Sequence, residues 1–444
     1  MHLEYRYINI PKLLPKKETD PHIITIPYTY IVPNTGHFKR IYYWDSFFMF
    51  KGLIGTKRQS ITKKMVNNFI YLYDKYQIIP NFNAPASINR SQPPFLSSMI
   101  LDAYITPLLL HRDHKYHIGL SSQVYKARNK RWLKKAISTA KKEYEAVWID
   151  NENLYNHHVD GYNLSRYGDR DIGYAHSSEL ESGWDMTSRF YNRCDQFLPI
   201  DLNTYLYKYE KDFAFVAKLF KNHKEEKYWM EKAEARKKEM NKCMWDDNEK
   251  FFFDYGYAFK RVSHFFSLAS YTVLWAGLAT PTQAKQMVDR LSKFETPYGL
   301  SISAAESLAK PINLEKIQRR YHPAINEIIK PKQWDYPNIW SPLEYLTVIG
   351  LLKYGYVKDA KRIMKKSIKA HAALFRKHNT FFEKIDGETG EPGKGALYGD
   401  QNGFGWTNAV FYRYTMILQA IESNKSIYME PKSSVPPYEL SILH

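Results

Sequence analysis

Apolar residues recur at helical spacing along almost the whole chain, and two-residue alternation is nearly absent. In DLNTYLYKYEKDFAFVAKLF (201–220), Leu202, Leu206, Tyr209, Phe213, Val216 and Phe220 fall on one stripe of an α-helix. A second helix is predicted after a break at Asn222-His223, carrying Tyr228, Ala235 and Met240. SLASYTVLWAGLA (267–279) is another, ended by Thr280-Pro281, which cap and start PTQAKQMVDRLSKF. PLEYLTVIGLLKYG and VKDAKRIMKKSIKAHAALFRKH form a further pair, and FFFDYGY (251–257) is long enough for one small hairpin arm. An all-α chain of about a dozen helices is expected, as a single domain over 1–444 with irregular ends at about 1–20 and 427–444. Helical hairpins closed into a double ring would place long loops at its mouth; periodicity supports the helices but does not by itself show the ring.

Charge narrows the partners. Lysine plus arginine exceed aspartate plus glutamate by 64 − 46 = 18, but the basic residues are scattered. They form only short runs, such as Lys361, Arg362, Lys365, Lys366 and Lys369 on one helix, which read as a solvated face and not as a nucleic-acid site. Cys194 and Cys243 are the only cysteines, which excludes a disulfide framework and a cysteine-based zinc site. The first twenty residues have no apolar core of a signal peptide, so a cytoplasmic protein is expected, or a secreted or periplasmic one whose leader was removed. No apolar stretch reaches the roughly 18 residues a membrane span requires. A monomer with neither a membrane nor a nucleic-acid partner is the expectation.

Five loops share one character: GHFKRIYYWDSFF (36–48), PNFNAPASINRSQPP (80–94), ESGWD (181–185), QWDYPNIWSP (333–342) and FFEKIDGETGEPGKGALYGDQNGFGWTN (381–408). Each sets a carboxylate, amide or guanidinium beside an aromatic ring, the pairing a sugar requires for its hydroxyls and its C–H face. QWDYPNIWSP suits neither a helix nor a central strand, because Pro337 removes a donor and restricts its predecessor. It reads as a rigid aromatic-acidic loop ending in a helix that Ser341 caps, Pro342 starts and Glu344 completes as a capping box. Asp185 follows a tryptophan, which favours a raised pKa, and Glu383 is followed by Lys384, which favours the ionised form. Two such carboxyl groups are what glycoside hydrolysis needs, one to protonate the leaving oxygen and one to activate water.

Other motifs fail. DGETGEPGKG has five residues between Gly387 and Gly393 and Gly395 after Lys394, so it is no phosphate loop. It also lacks the acidic ligands and closing glutamate of a calcium loop. His157-His158 lacks the i, i+4 spacing of a helical zinc pair, and no serine sits in a nucleophile elbow.

QWDYPNIWSP closely resembles the second signature of the trehalase family, and GHFKRIYYWDSFF resembles a degraded copy of the first. RSQPP, DLN, ESGWD, MWDDNEKFFFDY and EKIDG…QNGFGWTN follow in the family's order, so the resemblance spans roughly 30–415. It implies an (α/α)6 barrel and an inverting hydrolysis of α,α-trehalose to two glucose molecules, with no metal or cofactor. By position it makes Asp185 the general acid and Glu383 the general base, 383 − 185 = 198 residues apart. Sugar contacts are implied for Phe38, Trp44, Asp45, Asn81, Arg90, Ser91, Gln92, Gly183 and Trp334. Departures from the family pattern fall at His37, at Tyr174 and His176, and at Leu397, positions assigned by the resemblance to the leaving-group side. Two alternatives follow from them: the same chemistry on a different α-glucoside, or a non-catalytic sugar-binding homologue.

Overall fold

The computed structural model describes residues 12–13, 21–113, 122–170, 175–309, 331–395 and 398–423. The ends expected to be irregular lie outside this set, except that Lys12–Leu13 pair antiparallel with Tyr30–Ile31. The helices are α1 (Tyr43–Lys51), α2 (Ser60–Tyr76), α3 (Leu96–Asp113), α4 (Ser122–Glu143), α5 (Ala175–Ser182), α6 (Ile200–Leu219), α7 (His223–Met244), α8 (Thr272–Ala276), α9 (Pro281–Val288), α10 (Ala305–Ala309), α11 (Ser341–Lys353), α12 (Val357–His378) and α13 (Gly405–Glu422).

Six of them close a ring. Helix α1 packs on α3, α3 on α6, α6 on α8, α8 on α11, α11 on α13, and α13 returns to α1. Helix α2 packs against α3 and α4, α7 against α6, and α12 against α11 and α13, forming an outer layer. The all-α (α/α)6 barrel expected from the resemblance is the observed fold.

Sequence decides which layer a helix joins. All nine residues of α1 are buried, as are Ile200–Ala217 of α6, because inner helices are covered on every side. Outer α12 buries only Ala360, Ile363, Met364, Ser367, Ala370, His371 and Leu374, a stripe at three- and four-residue spacing with cations outside.

Two helix readings therefore need correction. Helix α6 has no single stripe: its polar residues are buried too, with Asp201 held by Arg189 at 2.8 Å and Glu210 by Arg236 at 2.8 Å. Helix α7 buries Trp229, Ala233, Arg236, Met240 and Met244, while Tyr228 and Ala235 face outward. Arg236 turns the face, because its guanidinium reaches Glu210 and so belongs in the core.

Caps divide likewise. Thr280 and Gln283 form the expected capping box on α9. Helix α11 has Trp340 at its N-cap without a side-chain bond, and Ser341 is its first residue. Glu344 instead accepts the Leu300 amide at 2.9 Å, since an inner helix turns its first turn toward other buried backbone. FFFDYGY supplies two short strands, Phe251–Phe252 paired with Trp245–Asp246 and Tyr255–Gly256 lying between Phe197–Leu198 and Arg261–Val262. Among the described residues no helix is long and apolar enough to cross a membrane.

Candidate active site

The segment ESGWD begins in the last turn of α5 and leaves it at Gly183, whose φ is +72°. A Cβ there would stand 2.8 Å from the Trp44 ring, so both the backbone and the neighbouring indole require glycine. Gly183→Ala should cost about 2 kcal/mol of stability and lower kcat as Asp185 is displaced; thermal unfolding and turnover measured together check this.

Beyond Gly183 the chain is laced to the loop that precedes α11. The Asp185 carbonyl accepts from Gln333 Nε2, and the Met186 carbonyl accepts the Trp334 amide at 3.2 Å. The Thr187 carbonyl accepts Lys332 Nζ at 3.1 Å. Asp335 accepts the Ser188 amide at 2.9 Å and its hydroxyl at 2.7 Å. The acidic member of QWDYPNIWSP is thus a buried brace and not part of an open acidic surface. Satisfying four donors is what its burial demands, the others being the Lys332 amide and the Thr187 hydroxyl.

Five tryptophans from four loops and helices pack beside this lacing. Trp334 stacks on Trp340 at 3.7 Å between centroids and 6° between planes. Trp44 lies 5.6 Å and Trp184 5.2 Å from Trp334, and Trp406 lies 5.8 Å from Trp340. Trp334 is only 2% exposed, so it forms a packed floor with little open face.

Glu383 is fixed from three directions. Lys384 Nζ lies 2.8 Å from Oε2, as the adjacent cation led one to expect, and the Tyr398 hydroxyl donates to Oε1 at 3.0 Å. Trp406 Nε1 donates to the Glu383 carbonyl at 3.0 Å. Burial raises its carboxyl, opposed chiefly by Lys384. Asp185 is pushed up to about 8, first by burial and then by the nearby charge of Glu383. Asp45, in the first turn of α1, is also raised by burial and by the Glu383 and Asp185 charges, so three carboxyl groups share one electrostatic environment.

The other predicted positions gather around these. Phe38 lies 5.5 Å from Tyr398, on which His37 also stacks at 5.7 Å. Gln92 accepts the Trp44 amide at 3.2 Å, and Asn81 donates to the Ser91 and Leu180 carbonyls at 3.3 Å. The Ser91 amide donates to Glu181 at 2.8 Å, tying the Arg90–Gln92 loop to ESGWD. Arg90 keeps a buried Nε with no partner among the described residues, and its charge acts on Asp185. Tyr174 and Leu397 lie outside the described residues, as does the side chain of His176.

Gln333 and Tyr398 were not picked out as site residues. Together they link the Asp185 backbone to the Glu383 carboxylate, since Gln333 Nε2 binds the Asp185 main-chain carbonyl and its Oε1 lies 3.3 Å from the Tyr398 hydroxyl that donates to Glu383. Both stand inside stretches already singled out, and only their neighbours in space separate them from ordinary loop polar residues.

A family model described as Trehalase matches residues 7–181 and 173–420. The chain is 32% identical to a Saccharomyces cerevisiae protein named "Probable trehalase", over 87% of this chain and 54% of that one. It is 30% identical to the cytosolic neutral trehalase of Kluyveromyces lactis, over 87% and 56% respectively. The chain thus spans about half the length of these curated relatives. Neutral trehalase Nth1 from Saccharomyces cerevisiae superposes with a TM-score of 0.72 at 28% identity, covering 89% of this chain and 76% of that one. With its ring of helices, its laced loops and matches over most of its length, the chain belongs to the trehalase family.

Proposed function

We propose that the chain is a trehalase-like inverting glycoside hydrolase that cleaves α,α-trehalose into two glucose molecules, with Asp185 as general acid and Glu383 as general base. One observation carries the reading. Two carboxyl groups 198 residues apart are placed in one electrostatic environment, and their surroundings differ. Asp185 is raised to about 8 and so holds a proton at neutral pH, while Glu383 has a lysine on one oxygen that favours its charge. A protonated carboxyl can deliver its proton to the glycosidic oxygen as the bond breaks. An ionised one can take a proton from the water that attacks the opposite face. Arg90 and Asp45 supply a donor and an acceptor-or-donor for sugar hydroxyls, and the tryptophan floor keeps the site dry, which strengthens both roles.

The stereochemistry tests it. Inversion at one anomeric carbon of α,α-trehalose yields one β-glucose, while the departing unit remains α. Proton NMR in the first minutes of reaction should show the two anomers in equal amounts; α-glucose alone means retention and rejects the assignment. The pH dependence of kcat/KM is expected to be bell-shaped. Activity should fall above about 8 as Asp185 loses its proton, and below a point higher than the ordinary glutamate range as Glu383 gains one.

A further inference from the structure

Glu179 takes no direct part in this reaction, yet it is 5% exposed and lies on α5, six residues before Asp185. Its Oε1 accepts the amide of Thr187 at 3.1 Å, two residues beyond Asp185. The same residue is gripped on its other side, where Lys332 Nζ donates to the Thr187 carbonyl at 3.1 Å and to Asn192 at 2.6 Å. The turn presenting Asp185 is therefore held between a buried carboxylate on one side and a lysine on the other.

We infer that Glu179 is a positioning residue for the general acid: its carboxylate accepts the Thr187 amide and fixes the Asp185–Thr187 turn opposite Lys332. The inference rests on the assignment of Asp185 as the acid. Around Glu179 stand Lys332 and Asp335 from the loop before α11 and Cys194 from the turn packed on α5. Around Asp185 stand Glu383 and Tyr398 from the loop before α13, Arg90 from the loop before α3, and Asp45 and Tyr42 at the start of α1. Glu383, Glu179 and Asp45 oppose a charge on Asp185, while Arg90 favours it. Burial raises Glu179 itself to about 7, below the value of about 8 for Asp185, so it is mostly ionised where Asp185 is half titrated.

Glu179→Gln keeps an oxygen for the Thr187 amide and removes the charge. The alkaline limb of kcat/KM on trehalose should then move to lower pH by about half a unit. Glu179→Ala also removes the acceptor, and kcat should fall about 10- to 100-fold with KM changed far less. An alkaline limb that stays in place in Glu179→Gln overturns the inference, and should the alanine variant fail to fold, the glutamine variant alone decides. Asp185→Asn, assayed on trehalose and on α-glucosyl fluoride, separates the two levels. A large loss on trehalose with the fluoride still turned over sustains Asp185 as the acid, whereas equal losses reject that assignment and the role of Glu179 with it.

Discussion

Asp185→Asn should lower turnover of trehalose by about 10³- to 10⁴-fold, the range expected when a positioned acid is lost and the leaving group is poor. Asparagine copies the shape of the protonated carboxyl but has no proton of suitable acidity to release. Glucose departs as a strongly basic alkoxide unless it is protonated, whereas fluoride leaves unaided, so α-glucosyl fluoride should remain a substrate. Equal loss on both substrates would show that the residue does something other than protonate. Stability gives a second readout. The folded-state pKa of Asp185 is raised from 3.8 to about 8, so its favourable contribution is whole below the unfolded value and drains away as pH climbs to the folded one. The variant should therefore melt progressively higher than the native chain between pH 4 and pH 8, with the gap constant beyond.

Glu383→Gln should reduce activity by at least about 10³-fold on trehalose and on α-glucosyl fluoride alike, because both reactions require an activated water. That shared loss distinguishes the base from the acid. The substitution also touches the fold. Lys384 is 5% exposed and its ammonium lies 2.8 Å from Glu383 Oε2. Glutamine retains a neutral oxygen there, so a loss of about 1–2 kcal/mol is expected, and alanine should cost more by leaving the cation buried alone. Activity near the native level in a folded Glu383→Gln chain would remove Glu383 from the mechanism.

Periodicity was enough to place α6, α11 and α12 along the chain, and the proline-tryptophan loop announced itself by residues no helix or strand tolerates. What periodicity missed was the layer. A hydrophobic stripe is the mark of a helix with one wet side, and α6 has none, since Asp201 and Glu210 are buried by partners that lie elsewhere in sequence. Arg236 misdirected the face of α7 for the same reason. Glu344 and Asp335 look like a cap and an acidic surface until the backbone amides they satisfy are brought beside them. Asp185 and Glu383 stood out as candidates through the motifs around them. Gln333, Tyr398 and Glu179 did not, because each is defined by a contact across 65, 15 and 8 residues respectively.

Closure of the ring has a consequence for synthesis. The inner surface of α1 is covered by α13, where the Gly405 amide also donates to the Pro33 carbonyl at 2.7 Å. Those helices begin 405 − 43 = 362 residues apart. At roughly 5–20 residues per second on the ribosome, Trp44 waits on the order of half a minute for Trp406, whose ring packs on it at 6.2 Å. The nascent chain then holds five of the six ring helices, and a stop codon ahead of Gly405 would leave the ring open. A ring closed between α1 and α13 therefore leaves one flank of α1 open until residue 405 and beyond have been made.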